Sequence, residues 1–555
     1  MISFRTKLLK IQRSLYLKNK RKIDETLVHD KALDRYSREY HRFLRHYESI
    51  VPSSALIKHV LSSDIVYHGD YHTLRQSQRS ILRILRDIVD KKPIMLCLEM
   101  FHAGDQELVD RFMRGELLEK EFLNKIEYRK KWEFKFENWR PLLNLCRNHH
   151  VPVFGINEPP EGKMSMRQRD ESAAVIVATL AIRNPGALVY VVDGDYHISP
   201  THLPARIDEK LRPLRIETRR TIIYQNDADL YWQLAGEGKE DADVLQIDEF
   251  SFCIINSTPA NKLQSYLNWL EYSEDAYHPM HTEWEDLSDD SGNTTIPGIV
   301  KTICAILEVP YPVEATERLE IYYGKHLDFM EMIGKSKELA CMEREIWRKI
   351  RKDEGFLLEY AREGVLHYLI YLPNSSLNSA AEEATHFINA VMRGPVGRPS
   401  EPFDRFYATV ITEMLGFFGS KLINERRKAP LQSNLRTFIG SFKNAPRPPS
   451  RQDRIKLELS HLLLKHRYLD YTRSDVSAYR RTFGQLYGDR KGMAIECATQ
   501  LGYMLGDRLF YAVKKRKYPL KEVIGLFNAD FSGAHVAFNK YRELIAGLST
   551  RRAAA

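Results

Sequence analysis

The tetrapeptide Gly-Asp-Tyr-His occurs twice in the chain, at residues 69–72 and 194–197. Each copy closes a short apolar run rich in β-branched residues, which is typical of a buried strand in a parallel sheet. Imidazoles with carboxylates nearby suit Zn²⁺, Mn²⁺ or Fe²⁺. We therefore predict that the two copies meet at one divalent-metal site. The predicted ligands are His72, His197, Asp70, Asp195 and Glu99.

A divalent ion in such a site lowers the pKa of its bound water and polarises a carbonyl group, which is hydrolase chemistry. Glu99 follows a second apolar run, and we assign it as the general base that activates water. Arg169 and Asp170 open a predicted helix. Arg169 can reach into the predicted site and stabilise negative charge, and Asp170 is expected to cap the helix. The alternative is that the histidines form only structural hydrogen bonds. The predicted catalytic residues are Glu99, Arg169, His72 and His197.

Polar residues follow each of the four main apolar runs between residues 61 and 270. The first and fourth runs end in the tetrapeptides, the second at Glu99, and the third at Asn157 and Glu158. Ligands of open α/β sheets bind beyond the carboxyl ends of the strands. Glycine at such an end allows the backbone to approach a ligand closely. We therefore predict that Gly69, Gly194 and Asn157 contribute to ligand or cofactor binding.

The elements that must position these residues alternate between strand and helix over residues 61–270. This alternation predicts an α/β domain whose mostly parallel sheet has helices on both faces. Residues 1–60 form a basic helical arm, which either packs on this domain in contact with solvent or touches an anionic membrane surface. An acidic linker is expected at 271–297.

The remainder is predicted to be all-α, with a helical domain at 298–444 and a helical lobe at 450–555. Helices are expected at 338–372 and 493–515, where Gly502 and Gly506 permit a close helix approach. Glu383 and His386 have the Glu-x-x-His spacing of di-iron bundles, but we identify no second motif and predict no metal there. We expect this half to shape substrate access, bind a protein partner or self-associate.

The composition excludes several classes of protein. The chain has 555 residues, 43% of them hydrophobic and 28% charged, with a net charge of +9. This mild charge is no strong signal for nucleic-acid binding. Six scattered cysteines without a Cys-x-x-Cys pair predict reduced thiols. We find no membrane-spanning stretch and no secretory signal, so we expect a cytoplasmic protein.

Between about residues 60 and 225 the motifs resemble, in order, those of the ChaN-like domain, which is grouped with Tiki-type metalloproteases and erythromycin esterases. The segments that carry the resemblance are Gly69–His72 with Gln78, Leu98–Phe101 with Gln106, Arg114–Glu116, Trp139–Leu142, Asn157, Arg169–Asp170 and Gly194–His197.

This resemblance implies an α/β fold in which both tetrapeptides and Glu99 share one site. Tiki-type and esterase members resemble hydrolases that are metal-dependent or use His and Glu, acting on peptides or small molecules. ChaN-type members bind haem, which implies the alternative of a haem- or iron-binding protein with Tyr71, Tyr196 or a nearby histidine as axial ligand. A degenerate scaffold domain is the third alternative.

Overall fold

The protein is described by a computed structural model that covers residues 3–24, 31–158, 165–272, 295–374, 376–397, 399–442, 448–487 and 491–550. The chain divides into two compact units, Met1–His278 and Pro279–Ala555. Most of the predicted acidic linker lies outside the described residues.

The N-terminal unit is built on an eight-stranded sheet with the order β1-β7-β8-β6-β2-β5-β3-β4. Neighbouring strands from β8 to β4 in this order run parallel, whereas β7 is antiparallel to both β8 and β1. The mostly parallel sheet is therefore confirmed. The strands are β1 (Ser49–Ile50), β2 (Ile65–Asp70), β3 (Ile94–His102), β4 (Val153–Asn157), β5 (Leu188–Gly194), β6 (Arg220–Gln225), β7 (Val244–Gln246) and β8 (Ser251–Ile254).

Strands β2 and β5, which end in the two tetrapeptides, are neighbours in the sheet. Every residue of both strands is buried, as expected for apolar strands covered on both faces. Their register pairs Gly69 with Asp193 and Asp70 with Gly194. Strand β3 lies on the other side of β5, and its register against β4 shifts between Leu98 and His102. This irregularity brackets Glu99, and such irregularities re-aim side chains beside functional sites.

The helices of this unit alternate with the strands, as predicted. The N-terminal arm packs against them, because Tyr36 and Tyr40 are buried and Arg5 donates a 2.7 Å hydrogen bond to Glu240. The helices are Phe4–Asp24, Lys31–Phe43, Ser53–Ser62, Arg75–Ile88, Gln106–Met113, Glu119–Lys125, Tyr128–Lys131, Arg140–Asn148, Met166–Arg183, Leu203–Leu211, Ala228–Glu237 and Pro259–Tyr272, with 3₁₀ turns at Ala103–Asp105, Phe136–Asn138 and Arg212–Leu214.

The C-terminal unit is predominantly helical, but it is not all-α as predicted, because it also contains a three-stranded sheet. Glycines allow two of its long helices to approach closely, because a Cβ on Gly506 would lie 2.6 Å from the Met414 carbonyl oxygen. None of the helices described is long and apolar enough to cross a lipid bilayer. The helices are Thr295–Leu307, Val313–Glu317, Phe329–Lys335, Glu343–Lys352, Leu377–Arg393, Pro402–Ile423, Gln432–Ser441, Arg451–Thr472, Val476–Tyr487, Lys491–Lys514, Leu520–Phe527 and Val536–Thr550, with a 3₁₀ turn at Ala340–Met342.

One helix prediction in this unit is wrong. Only Glu343–Lys352 and the short turn before it are helical within 338–372, and the rest of that stretch includes two strands of a three-stranded sheet with the order β10-β11-β9. Glu363 and Gly364 both have positive φ, which forms a tight two-residue hairpin turn between β10 and β11. The strands are β9 (Leu319–Tyr323), β10 (Phe356–Arg362) and β11 (Val365–Leu372).

Candidate functional site

The first histidine of the site, His72, lies just beyond the end of β2. Its Nδ1 atom donates a 2.8 Å hydrogen bond to Asp70 Oδ2, and Gln78 donates a 2.5 Å hydrogen bond to Asp70 Oδ1. These bonds fix the orientation of the imidazole ring. The other ring nitrogen, Nε2, lies 3.6 Å from Glu99 Oε2 on β3. The predicted proximity of His72 and Glu99 is therefore present in the structure.

The second histidine, His197, lies just beyond β5 and has an equivalent partner. Its Nδ1 atom is hydrogen-bonded to Asp170 Oδ1, and the Tyr36 hydroxyl donates a 2.7 Å bond to Asp170 Oδ2. Asp170 does not cap its helix, because Ser165 forms the capping box at that end. The prediction of a capping role for Asp170 is therefore wrong. Both histidines have Nδ1 bound to a buried carboxylate, which orients the ring and determines which nitrogen carries the proton.

The backbone of Gly194 lies at the centre of these groups. A Cβ atom at this position would lie 3.5 Å from both Glu99 Oε2 and His72 Nε2, and 3.6 Å from His197 Cδ2. A side chain would thus occupy the space between the two imidazoles and the carboxylate. The structure therefore brings both tetrapeptides and Glu99 to one place.

Two of the predicted residues, together with Asp193, form a group that could hold a metal ion. Ligand atoms of Glu99, Asp193 and His197 all lie within 4.8 Å of one another. The Gly194 N–H donates to Glu99 Oε2 at 2.9 Å and to Asp193 Oδ1 at 2.8 Å. Sequence reasoning missed Asp193, because the apolar run was taken to end at residue 192. A carboxylate directly after a fully apolar strand was the available signal.

The other carboxylates predicted as ligands lie outside this group. Asp195 Oδ2 accepts a 2.8 Å hydrogen bond from the Lys262 ammonium, so Asp195 forms an ion pair. Asp70 contacts His72 and acts through it. A Cβ on Gly69 would lie 2.6 Å from Asp195 Oδ1, so this glycine allows the two motifs to approach each other closely.

Neighbouring groups shift the pKa values of Glu99 and Asp193. Burial raises the pKa of this carboxyl, but His72, His197 and a hydrogen bond with Asp193 outweigh burial and lower the pKa to about 2. Arg169 contributes to the same effect, with Nη1 3.9 Å from Glu99 Oε1. Burial and the charge of Glu99 raise the pKa of Asp193 well above its usual range. The pKa values of these two neighbouring carboxyl groups are therefore shifted in opposite directions.

A small pocket opens onto these groups. The lining combines polar groups of the site with aromatic and aliphatic side chains, so a ligand group entering it meets both. The lining residues are Asp70, His72, Glu99, Met100, Trp132, Trp139, Val192 and Asp193.

The remaining predicted binding residues lie outside the lining of this pocket. The Tyr71 ring stacks under Lys262, whose Nζ lies 4.6 Å from the ring centroid. The Tyr196 hydroxyl accepts a 3.4 Å hydrogen bond from Ser37. The Asn157 side chain accepts a 3.0 Å bond from the backbone of the next residue. Their predicted roles as binding residues therefore have no support from the pocket.

Residues 56–174 match the family model described as haem-binding uptake, Tiki superfamily, ChaN. This stretch contains the first tetrapeptide, Glu99 and Arg169, and the match confirms the resemblance drawn from the motifs. The chain is also similar to a solved structure titled "Cofacial heme binding to ChaN of Campylobacter jejuni", with 14% identity and a TM-score of 0.25, covering 32% of this chain and 87% of that chain. No curated protein matches the sequence.

Proposed function

We propose that the N-terminal unit is a hydrolase whose divalent cation is held by Glu99, Asp193 and His197. The observation that carries this proposal is the convergence of these three residues within 4.8 Å of one another at the strand ends. The Asp170 carboxylate on Nδ1 of His197 supports it, because metal-ligating histidines almost always donate their second ring N–H to a carboxylate, carbonyl or water.

In this proposal His72 is the general base that takes a proton from the attacking water. The Asp70 carboxylate holds its Nδ1, while Nε2 faces the pocket and Glu99. Glu99 is already engaged by the Gly194 N–H, so we move the general-base role from Glu99 to His72. Arg169 is partly exposed beside Glu99 and is available to a developing negative charge on the substrate.

The cation supplies the remaining chemistry, since a bound divalent ion polarises a carbonyl and lowers the pKa of water. We propose that the scissile group of an ester or amide is bound at this site, with Trp132 and Trp139 as its apolar wall.

Haem binding is the second candidate function, and the description of the matching family model favours it. The pocket does not fit an enclosed haem, because it is small and carboxylates line it. Tyr71 and Tyr196, two of the predicted axial ligands, lie outside its lining, whereas His72, a nearby histidine, is part of it. A haem site at these strand ends would thus need surfaces other than this pocket.

Metal analysis and the visible spectrum of the purified full-length chain test these alternatives. We expect no Soret band, and a Zn²⁺ or Mn²⁺ content that is lower by one equivalent in His197→Ala than in the wild type but unchanged in His46→Ala, an exposed control. Chelator-sensitive hydrolysis of nitrophenyl esters or fluorogenic peptides should be lost in the same variant. A Soret band lost in His72→Ala/His197→Ala would support haem instead. Absence of metal, haem and hydrolysis would leave the scaffold alternative.

A further inference from the structure

The C-terminal unit contains a second group of metal-ligating side chains. Glu382 and His386 lie on helix Leu377–Arg393, and Glu413 lies on helix Pro402–Ile423. Ligand atoms of the three residues all lie within 4.8 Å of one another. Glu382 and His386 are four residues apart, which places them on the same face of their helix. Two packed helices therefore hold one imidazole and two carboxylates in one place.

A glycine makes room for the imidazole of this group. A Cβ on Gly416 would lie 2.6 Å from His386 Nε2 and 3.2 Å from Glu382 Cγ. Any larger residue would displace the ring, so Gly416 allows the imidazole to lie directly against helix Pro402–Ile423. Gly416 follows Glu413 by three residues, which brings the ring beside that carboxylate. A Cβ on Gly502, on the adjacent helix Lys491–Lys514, would lie 2.6 Å from Glu413 Cβ.

Two buried polar atoms lack a hydrogen-bond partner among the described residues here. One is Nδ1 of His386, a member of the group, and the other is Oε2 of Glu383, the residue next to Glu382. Glu383 is only 5% exposed, and its carboxyl lies near enough to Glu382 and Glu413 to be affected by their charges. Buried polar groups are nearly always satisfied in folded proteins. The unmet donor and acceptor capacity here is therefore a sign of a missing ligand.

The charges at this group also favour a cation. The carboxyl groups of Glu382 and Glu383 are buried and that of Glu413 is half-buried. The guanidinium of Arg427 affects all three and donates a 2.5 Å hydrogen bond to Glu382. Lys349 is near enough to affect Glu383 and Glu413. Among the described residues, the ion pair that Arg427 forms with one of these three carboxyl groups is with Glu382.

We propose that Glu382, His386 and Glu413 bind a divalent transition-metal ion, with Glu383 available as a fourth ligand. The mixed imidazole and carboxylate set suits Zn²⁺ or Mn²⁺ better than Ca²⁺, which prefers oxygen ligands alone. This site is independent of the site proposed for the N-terminal unit. The motif of Glu383 and His386 noted in the sequence is thus part of it, but Glu382 supplies the close carboxylate.

The test uses the full-length chain carrying His72→Ala and His197→Ala, so that binding at the N-terminal candidate site does not obscure the result. After chelator treatment and dialysis, Zn²⁺ is titrated by calorimetry and thermal unfolding is followed with and without Zn²⁺. We expect one Zn²⁺ site and a raised Tm in this background. Glu413→Gln should weaken binding at least 10-fold and abolish the Tm shift, whereas Glu522→Gln, an exposed control, should change neither.

His386→Gln is the second variant, and it decides the result if Glu413→Gln does not fold by circular dichroism. Failure of the background chain to bind Zn²⁺ would overturn the proposal. Unchanged binding in either folded variant would overturn it equally, because Zn²⁺ would then be held elsewhere. Either result would leave the hydrolase proposal for the N-terminal unit untouched.

Discussion

Asp70 of β2 and Gly194 of β5 are paired residues in neighbouring parallel strands. This pairing aligns the two tetrapeptides, so each strand delivers its histidine to the same edge of the sheet. Asp70 then orients His72, while the Gly194 backbone lies between His72, His197 and Glu99. The geometry of the site therefore follows from the register of two buried strands.

Replacing Gly194 with alanine is expected to weaken the proposed metal binding without unfolding the protein. The added Cβ would make ordinary contacts of 3.5–3.6 Å, so the fold tolerates it, but it would occupy the space between Glu99 and the imidazoles. We expect Zn²⁺ affinity at this site to fall about 10-fold or more, in the range typical of disturbed metal surroundings. Gly104→Ala, where a Cβ meets nothing within 4 Å, is the control. Equal Zn²⁺ affinity in the two variants would contradict the prediction.

Asp170→Asn tests the partner of His197. The amide keeps the shape of the side chain but removes the charge that holds the Nδ1 proton, so the ring loses its preferred orientation. We expect Zn²⁺ affinity and hydrolysis to fall about 10–100-fold, as for other residues that orient metal ligands. Calorimetric titration measures the effect, with the exposed Asp87→Asn as the matched change. Wild-type affinity in Asp170→Asn would show that His197 needs no carboxylate partner.

The adjacency of the two motifs could be predicted because the same four residues follow two apolar runs. Asp193 was missed despite its position directly after the apolar run, since a strand end is uncertain by a residue or more and this carboxylate lies at that boundary. Asp170 looked like a capping residue because its partner, His197, is 27 positions away along the chain. The sequence around an element does not reveal contacts of this kind.

The hairpin of β10 and β11 was missed for a different reason. Its strands are short apolar runs, and periodicity alone does not separate such runs from a buried helix. The turn pair Glu363 and Gly364 was the local signal that could have divided them. In the same half, the Glu-x-x-His pattern directed attention to Glu383, although Glu382 is the residue that lies closest to the His386 and Glu413 group.

His68 is expected to make stability depend on pH. Burial lowers the pKa of this histidine to about 3, and the ring shares a 2.6 Å hydrogen bond with the Tyr190 hydroxyl. Its contribution is therefore complete above the unfolded pKa of about 6.5 and is lost as pH falls towards 3. The loss amounts to about 1.4 kcal/mol per pH unit within that window.

The measurement compares urea unfolding of the wild type and His68→Gln at pH 6.5, 5.5 and 4.5. We expect His68→Gln to be less stable than the wild type at pH 6.5, because it loses a fitted buried ring. The stability difference should shrink by about 1 kcal/mol from pH 6.5 to 5.5 and by about 1.3 kcal/mol from pH 5.5 to 4.5, since only the wild type has this group to protonate. A difference that stays constant across the three pH values would show that His68 is not held neutral.

Two glycines of the C-terminal unit should respond to alanine with opposite signs. A Cβ on Gly506 would lie 2.6 Å from the Met414 carbonyl oxygen and 3.0 Å from Phe417 Cβ, so Gly506→Ala forces two helices apart. We expect a loss of about 1–3 kcal/mol, the usual cost of overpacking. Gly525 lies in helix Leu520–Phe527 with nothing within 4 Å of a Cβ, so Gly525→Ala should gain about 0.5–1 kcal/mol from helix propensity. Chemical unfolding measures both variants, and a loss of similar size in both would show that close helix packing at Gly506 is not what determines the effect.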